Sequence, residues 1–439
     1  MFPIDKETLE MTIARLGIVD ISSATIRQIC ALAAALEQEA GEDFVHLEIG
    51  NPGLPAEAIG VEAECEVLRN GIANQYPNIA GLPALKDAAS DFIKAFLNIN
   101  IPGRCIVPTV GSMQGSFTMM LLLGQRIPGR DTILYIDPGF PAQRSQSKVL
   151  GLGSASFDIY DYRGKALEGK LDEMLSAGNV TAILYSNPNN PSWINFTEEE
   201  LEIIGRMATK HDVIVIEDHA YLGMDFRTDF GHPGEPPYIP TVARYTDNYI
   251  LLLSASKIFS YAGQRIAVVA MGEKVFDREY PYLRSFYEMP TFGDAYIFGV
   301  LYTASSGTAH SAQHAMAAMM RAAVDGRLNF VDNCSEYGRR GEIARRLFTD
   351  NGFHLIYSHD GDCEISNGFF FTVGYGEMKG DELQKELLRY GISSIPLHST
   401  GSWQEGLRIC VSMLADEDDI DRLSSRLAAF DRDFSAKRG

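Results

Sequence analysis

Five short apolar runs, separated by longer amphipathic segments, constrain this chain more than any other feature of its sequence. They are Thr132–Asp137 (TILYID), Thr181–Ser186 (TAILYS), Val213–Asp218 (VIVIED), Tyr249–Ser254 (YILLLS) and Ile266–Met271 (IAVVAM). Each is rich in Ile, Val or Leu at successive positions, so both faces must be covered. A mostly parallel sheet with helices on both sides meets that requirement. One intervening helix marks its own start, because Thr197 and Glu200 stand in capping-box spacing ahead of Leu201, Ile203 and Ile204. With a further strand near Ile106–Thr109, the alternation from about Arg104 to Met271 predicts a large doubly wound α/β domain.

The flanks read differently. Ile26, Ile29, Leu32 and Leu36 repeat at helical spacing within the first fifty residues, and Gly50–Pro55 (GNPGLP) then breaks any regular element. Beyond residue 326 a long helical stretch leads to His354–Tyr357, Gly368–Tyr375, a helix near Asp381–Tyr390, Leu407–Met413 and a last helix. The expected organisation is an N-terminal helical segment over residues 1–50 packing with a small domain, a large domain over 51–325, and a smaller α+β domain over 326–439. A chain of 439 residues has room for two or three such lobes, at roughly 100–200 residues each.

A formal net charge of −20 repels phosphate backbones and anionic lipid surfaces, which argues against nucleic-acid and membrane partners. A local basic pocket for a small anion remains compatible with it, since placed charges act strongly at short range. Cys30, Cys65, Cys105, Cys334, Cys363 and Cys410 include no Cys-x-x-Cys pair and are expected to be buried free thiols in a reducing compartment. The start, MFPIDKETLEMTIARLG, lacks the basic and apolar regions of a signal peptide, and no apolar run approaches membrane-spanning length. The expected location is cytoplasmic.

Sheets of this kind place ligands at the carboxyl ends of their strands. After the strand near Ile106–Thr109, Gly111-Ser112-Met113-Gln114-Gly115 opens a helix whose free N–H groups and dipole attract an anion, although many glycines only punctuate. The run ending at Ser186 enters Asn187-Pro188-Asn189-Asn190-Pro191, which by itself reads as an ordinary strand-to-helix loop. Asp218 ends the next run, with Tyr221 three residues on. A buried acid there needs a partner, such as a protonated ring nitrogen, unless it caps the next segment. Ser254-Ala255-Ser256-Lys257 ends the following run, ahead of Arg265. Desolvation of a lysine at that place frees its amine for carbonyl chemistry, whereas an isolated lysine is usually solvated.

In this order, each after its own strand, these residues resemble the class I/II aminotransferases, the fold-type I pyridoxal-phosphate enzymes, from about Gly50 to Arg408. The resemblance implies pyridoxal 5'-phosphate held as a Schiff base on Lys257, which also serves as the base for the α-proton. It implies Asp218 on the pyridine nitrogen, Asn187 and Tyr221 on the phenolic oxygen, and Gly111, Ser112, Met113, Ser254, Ser256 and Arg265 around the phosphate. Phe140 would stack on the ring or serve the core. Tyr76, in Gln75-Tyr76-Pro77, would reach a neighbouring subunit's phosphate site, implying a homodimer with shared active sites. Arg408 would grip the substrate α-carboxylate, with Asn187 beside it and Gly50 letting the substrate approach the backbone. The activity implied is transfer of an amino group between an L-amino acid and a 2-oxo acid.

Two departures concern the substrate. Tryptophan stands at 193 where the family has a glycine, either as a simple loop change or narrowing the entrance, and His398–Trp403 lacks clear likeness to common members. Trp193 and Phe140 lean toward an apolar or aromatic substrate. The same cofactor residues would serve a lyase or synthase cleaving Cα or Cβ bonds. A ligand-sensing module of a regulator is a further alternative, opposed by the acidic charge. His310 and His314 lie one turn apart without a metalloprotease-like acidic partner, so no metal is expected. Arg284 is read as a surface arginine that otherwise would reach an acidic substrate across a dimer interface.

Overall fold

The computed structural model describes residues 2–437. Seven strands form the large sheet: β1 (Ile106–Val110), β2 (Thr132–Asp137), β3 (Gly153–Asp158), β4 (Val180–Ser186), β5 (Ile214–His219), β6 (Tyr249–Ser254) and β7 (Ile266–Met271). Their order is β1-β7-β6-β5-β4-β2-β3. Only β7 runs antiparallel to its neighbours, so the sheet is the mostly parallel one that the apolar runs require. All six residues of β2, β5, β6 and β7 are buried. The strand missed in the sequence is β3 (GSASFD). It lies at an edge and is largely half-exposed, so nothing required it to be apolar.

The expected helix after β4 spans Glu198–His211. Its capping box is closed by Thr197 Oγ1 accepting from Glu200 N at 3.2 Å and Glu200 Oε2 accepting from Thr197 N at 2.9 Å. β5 continues to His219, one residue beyond the expected end, so Asp218 lies within the strand, and its carboxylate also accepts from the Ala220 amide of the turn that follows.

A second sheet has β8 (His354–Leu355), β9 (Phe370–Gly374), β10 (Ile395–Pro396) and β11 (Leu407–Cys410) in the order β10-β11-β9-β8, all antiparallel. Helix Gly380–Arg389 lies between β9 and β10 in the chain, and helix Glu417–Phe434 follows β11. Helix Phe330–Asp350 joins two cores: Phe330, Cys334 and Tyr337 pack in the large one, Ala344 and Phe348 in the small one. Helices Lys6–Arg15 and Ile26–Ala40 bury Leu9, Ile13, Ile29, Leu32 and Leu36 together with Leu388 and Ile395 of the small lobe. Val45–His46 pairs in parallel with Ile392–Ser393.

One ionic cluster ties the lobes together. Asp360, on a hairpin ahead of β9, accepts from Arg163 Nη2 at 2.9 Å, Arg227 Nη2 at 2.7 Å and the Asn195 amide at 3.2 Å. All six cysteines are unpaired. Cys105, Cys334 and Cys410 are buried, but Cys30 and Cys65 are half-buried and Cys363, on the same hairpin, is exposed, contrary to the expectation that all are buried. No helix among the described residues is long and apolar enough to cross a membrane.

Candidate active site

The lysine that the sequence singles out follows β6 on a short turn, Ala255–Ile258, which Ser254 caps by accepting from Ser256 N at 3.2 Å. Burial lowers the Lys257 ammonium to about 8, and the positive charges of Arg408 and Arg265 act in the same direction. Its Nζ donates to the Gly50 carbonyl and lies 5.2 Å from the Phe369 ring centre. A Cβ on Gly50 would stand 3.8 Å from that nitrogen, so Gly50 covers the amine closely.

Asp218 is carried by the neighbouring parallel strand, where it pairs in register with Leu252. Its carboxylate accepts from Gln143 Nε2 at 2.8 Å and from the Ala220 amide at 3.1 Å, both neutral donors. Burial is the dominant influence and pushes the carboxyl up to about 6. Asn187, at the end of β4, is buried, and its amide donates to the Asp218 carbonyl at 3.1 Å. Tyr221 is buried against Phe369 and Phe370, with ring centres 5.3 and 5.4 Å away.

Arg265 meets the start of helix Gly111–Gln125. Gly111 adopts φ +66°, and a Cβ there would stand 2.5 Å from Arg265 Nη2. Glycine is therefore required both by the backbone and by the guanidinium lying against it. Arg265 is exposed, and its Nη1 donates to the Ala262 carbonyl at 2.9 Å. Ser112 and Met113 follow Gly111 on the first helical turn and are half-buried. Free N–H groups beside an exposed guanidinium and the Ser112 hydroxyl form a ready anion site.

Arg408 is fully buried on β11. It stands over the Phe370 ring at 4.9 Å and donates to the Glu48 carbonyl. Burial lowers its pKa, and its Nε has no hydrogen-bond partner. Among the described residues, Lys257, Arg265 and Arg408 have no carboxylate within 4.0 Å. Three cationic side chains thus converge on one region with their charges unanswered.

Other expected residues are placed less directly. Phe140 is half-exposed and outside the apolar cores. Tyr76 is 92% exposed and does not enter its own chain's site. Arg284 is at the surface, and the His310 and His314 ring centres are 5.6 Å apart. Trp193 does not narrow an entrance. It is fully buried at φ +64°, behind Tyr221 at 5.5 Å and Phe370 at 6.0 Å.

Gln143, Phe369, Phe370 and Cys410 also belong to the site and were not foreseen. Phe369 and Phe370 lay in a run legible only as a strand. Cys410 is buried within electrostatic reach of Arg408 and Lys257. Gln143 lies on helix Pro141–Val149, and only the fold turns it toward Asp218.

Comparison with known proteins places the chain in a family. The family model described as aminotransferase class I and II matches residues 42–427. Nicotianamine aminotransferase 1 from Oryza sativa is 29% identical over 48% of this chain and 41% of that protein. Asparagine–oxo-acid transaminase from Streptococcus mutans is 26% identical over 52% and 56%, and human kynurenine–oxoglutarate transaminase 1 is 28% identical over 52% and 55%. The chain thus spans about half the length of these curated relatives. Aspartate aminotransferase from Thermus thermophilus, solved with maleate, shares the fold at a TM-score of 0.74, with 18% identity over 93% of this chain and 96% of that one. With the family model covering most of its length, the chain belongs to the class I and II aminotransferases.

Proposed function

We propose that this protein is a pyridoxal 5'-phosphate-dependent aminotransferase that moves an amino group between an L-amino acid and a 2-oxo acid, and that it acts as a cytoplasmic homodimer. One observation carries the reading. Lys257, with its lowered pKa, follows β6, and Asp218, with only neutral donors, lies on the adjacent parallel strand β5, while Arg265 lies against Gly111 with no carboxylate partner. An amine, a buried acid and an anion corner are what an aldehyde-bearing, nitrogen-containing phosphate requires, so the residues present fit the cofactor. Bound there, the pyridinium ring would supply an electron sink for charge developing at the substrate Cα.

The chain's own groups account for the rest. Asp218 holds the ring nitrogen's proton, a charge-assisted hydrogen bond of roughly 1.5–3 kcal/mol. Asn187 and Tyr221 fix the phenolic oxygen. Gly111, Ser112, Met113, Ser254, Ser256 and Arg265 hold the phosphate, and Phe140 covers the ring face. Arg408 and Asn187 hold the substrate carboxylate beside Gly50. Lys257 Nζ anchors the aldehyde and, once released, removes the Cα proton; a pKa near 8 leaves part of it unprotonated near neutrality. The named relatives are aminotransferases and transaminases, which supports transamination over Cα or Cβ bond cleavage.

Tyr76, almost wholly exposed, suits a tyrosine that enters a second subunit's phosphate corner. The acidic charge and six unpaired cysteines support a reducing, cytoplasmic setting without nucleic-acid partners.

The test is a panel of amino acids added to protein loaded with pyridoxal phosphate. Stoichiometric release of 2-oxo acid with the cofactor left in its amine form is expected. Repeated release of ammonia with the cofactor left in its aldehyde form, or failure to take up the cofactor, would overturn the assignment.

A further inference from the structure

The Lys257 amine lies between two partners that carry no net charge. It donates to the Gly50 carbonyl, and its nitrogen stands over the Phe369 ring, 5.2 Å from the ring centre. That is within the roughly 6 Å at which a ring's quadrupole attracts a cation. Gly50 is close to both: a Cβ there would stand 3.5 Å from Phe369 Cε1 and 3.8 Å from Lys257 Nζ. Among the described residues, no carboxylate comes within 4.0 Å of the amine.

The ring is not free to turn away. Phe369 is fully buried. The ring centres of Tyr337, Phe370 and Tyr221 stand 4.7, 5.1 and 5.3 Å from its own, at interplanar angles of 55°, 63° and 53°. Its carbonyl accepts from the Val411 amide at 3.1 Å. Three neighbouring rings and a backbone hydrogen bond thus hold its face toward a lysine carried by the other lobe.

The charged and titratable groups around the amine come from several elements. Arg408 and Cys410 lie on β11, and Arg265 precedes β7. Cys334, on helix Phe330–Asp350, has its Sγ 3.8 Å from the Lys257 carbonyl oxygen. Tyr221 packs on the same ring, and Asp218 meets Gln143 and the Ala220 amide instead. Burial is the largest influence on the amine and disfavours its proton; Arg408 and Arg265 add to it, and Cys410 opposes it. Burial also raises both thiols and the Tyr221 phenol, so none of them becomes an anion that would answer the amine.

A carboxylate at this place would hold Lys257 protonated through neutrality and would compete with a substrate carboxylate for Arg408. A ring face stabilises an ammonium without doing either. We propose that Phe369 is a positioning residue for Lys257, its ring face seating the ammonium form where burial and two arginines disfavour it. The consequence for proton transfer rests on the reading of Lys257 as the base for the α-proton; the seat itself does not.

The experiment replaces Phe369 by mono-, di-, tri- and pentafluorophenylalanine through nonsense suppression. Fluorine withdraws charge from the ring face and nearly preserves its shape. In ligand-free protein, trace acetylation of Lys257 by acetic anhydride, quantified by mass spectrometry of its peptide from about pH 6 to 11, gives the amine's pKa. That pKa should fall stepwise with the number of fluorines, by about one pH unit across the series. Phe369→Leu, apolar but without a ring face, should lie at the low end. The same series at Phe371, buried in the small lobe's core, should leave the amine unmoved. A pKa that stays flat or rises along the Phe369 series, or an equal fall along the Phe371 series, overturns the inference. If Phe369→Leu does not fold, the fluorinated series decides.

In protein loaded with pyridoxal phosphate, single-turnover transfer from an amino acid should slow on its alkaline plateau in step with the number of fluorines, because a weaker base removes the proton. A stepwise fall in ligand-free protein with that turnover unchanged would overturn the reading of Lys257 as the base and leave the seat standing. Failure to take up the cofactor would overturn the functional reading, and the ligand-free series would still decide the seat.

Discussion

The indole of Trp193 occupies the place where a side chain at residue 368 would begin: a Cβ on Gly368 would stand 2.0 Å from Trp193 Cε2. The two residues belong to different lobes, one to the loop after β4 and the other to the approach to β9. Trp193 holds a left-handed backbone to reach that place, a conformation costing on the order of 1–3 kcal/mol for a residue with a Cβ. The contact sets the distance between the wall that carries Tyr221 and the strand that carries Phe370.

Trp193→Gly should relieve the backbone strain yet lower stability by about 2–4 kcal/mol, because loss of a buried aromatic outweighs the relief. Gly368→Ala should lower it by about 1–3 kcal/mol through overpacking. The double variant should be more stable than the sum predicts by about 1 kcal/mol or more, since each change makes room for the other. Chemical denaturation of the four proteins measures this cycle, and simple additivity would mean that the indole is not the obstacle at residue 368.

The pH dependence of ligand-free stability should show two opposite slopes. Asp218 rises from 3.8 to about 6 on folding, so between those values the folded protein binds more protons than the unfolded chain, and stability falls as pH rises. Lys257 drops from 10.5 to about 8, so between 8 and 10.5 the folded protein binds fewer protons, and stability climbs with pH. At pH 7 both groups oppose folding, each by up to about 3 kcal/mol. Asp218→Asn and Lys257→Met should therefore each raise the Tm of ligand-free protein at neutrality. The gain should vanish below pH 4 in the first, on the order of its unfolded pKa, and above roughly pH 10.5 in the second. Paired thermal scans across pH check both signs.

Arg408→Lys should raise KM for the amino acid by roughly 10–100-fold with a smaller effect on kcat, because an ammonium cannot reproduce the fork that meets a carboxylate. Steady-state kinetics with both substrates provide the test. An unchanged KM would place the substrate carboxylate elsewhere.

Removing the interlobe tie should loosen one segment more than the rest. Asp360→Ala leaves Arg163 and Arg227 without the carboxylate they share and should cost about 3 kcal/mol. Hydrogen exchange should rise first in residues 357–366 and in the loop around Asn195, whose amide also donates to Asp360. Uniformly faster exchange would instead show that the cluster supports the whole fold.

The sequence by itself determined the central strands and the order of the residues that end them. Burial on both faces demands apolar residues at every position, so β2, β4, β5, β6 and β7 are written plainly, and Asn187, Asp218 and Lys257 stand where those runs stop. It did not show β3, because an edge strand needs no such run, nor the extra residue of β5 that takes Asp218 into the strand. Gln143 against Asp218, Trp193 against Gly368, and His219 between Glu217 and Asn187 were decided by tertiary structure alone. These are contacts between residues 32 to 175 positions apart, apart from the strand neighbours Glu217 and His219. Periodicity reports which face of an element is buried; what that face meets depends on how the elements cross, and no local pattern encodes the crossing.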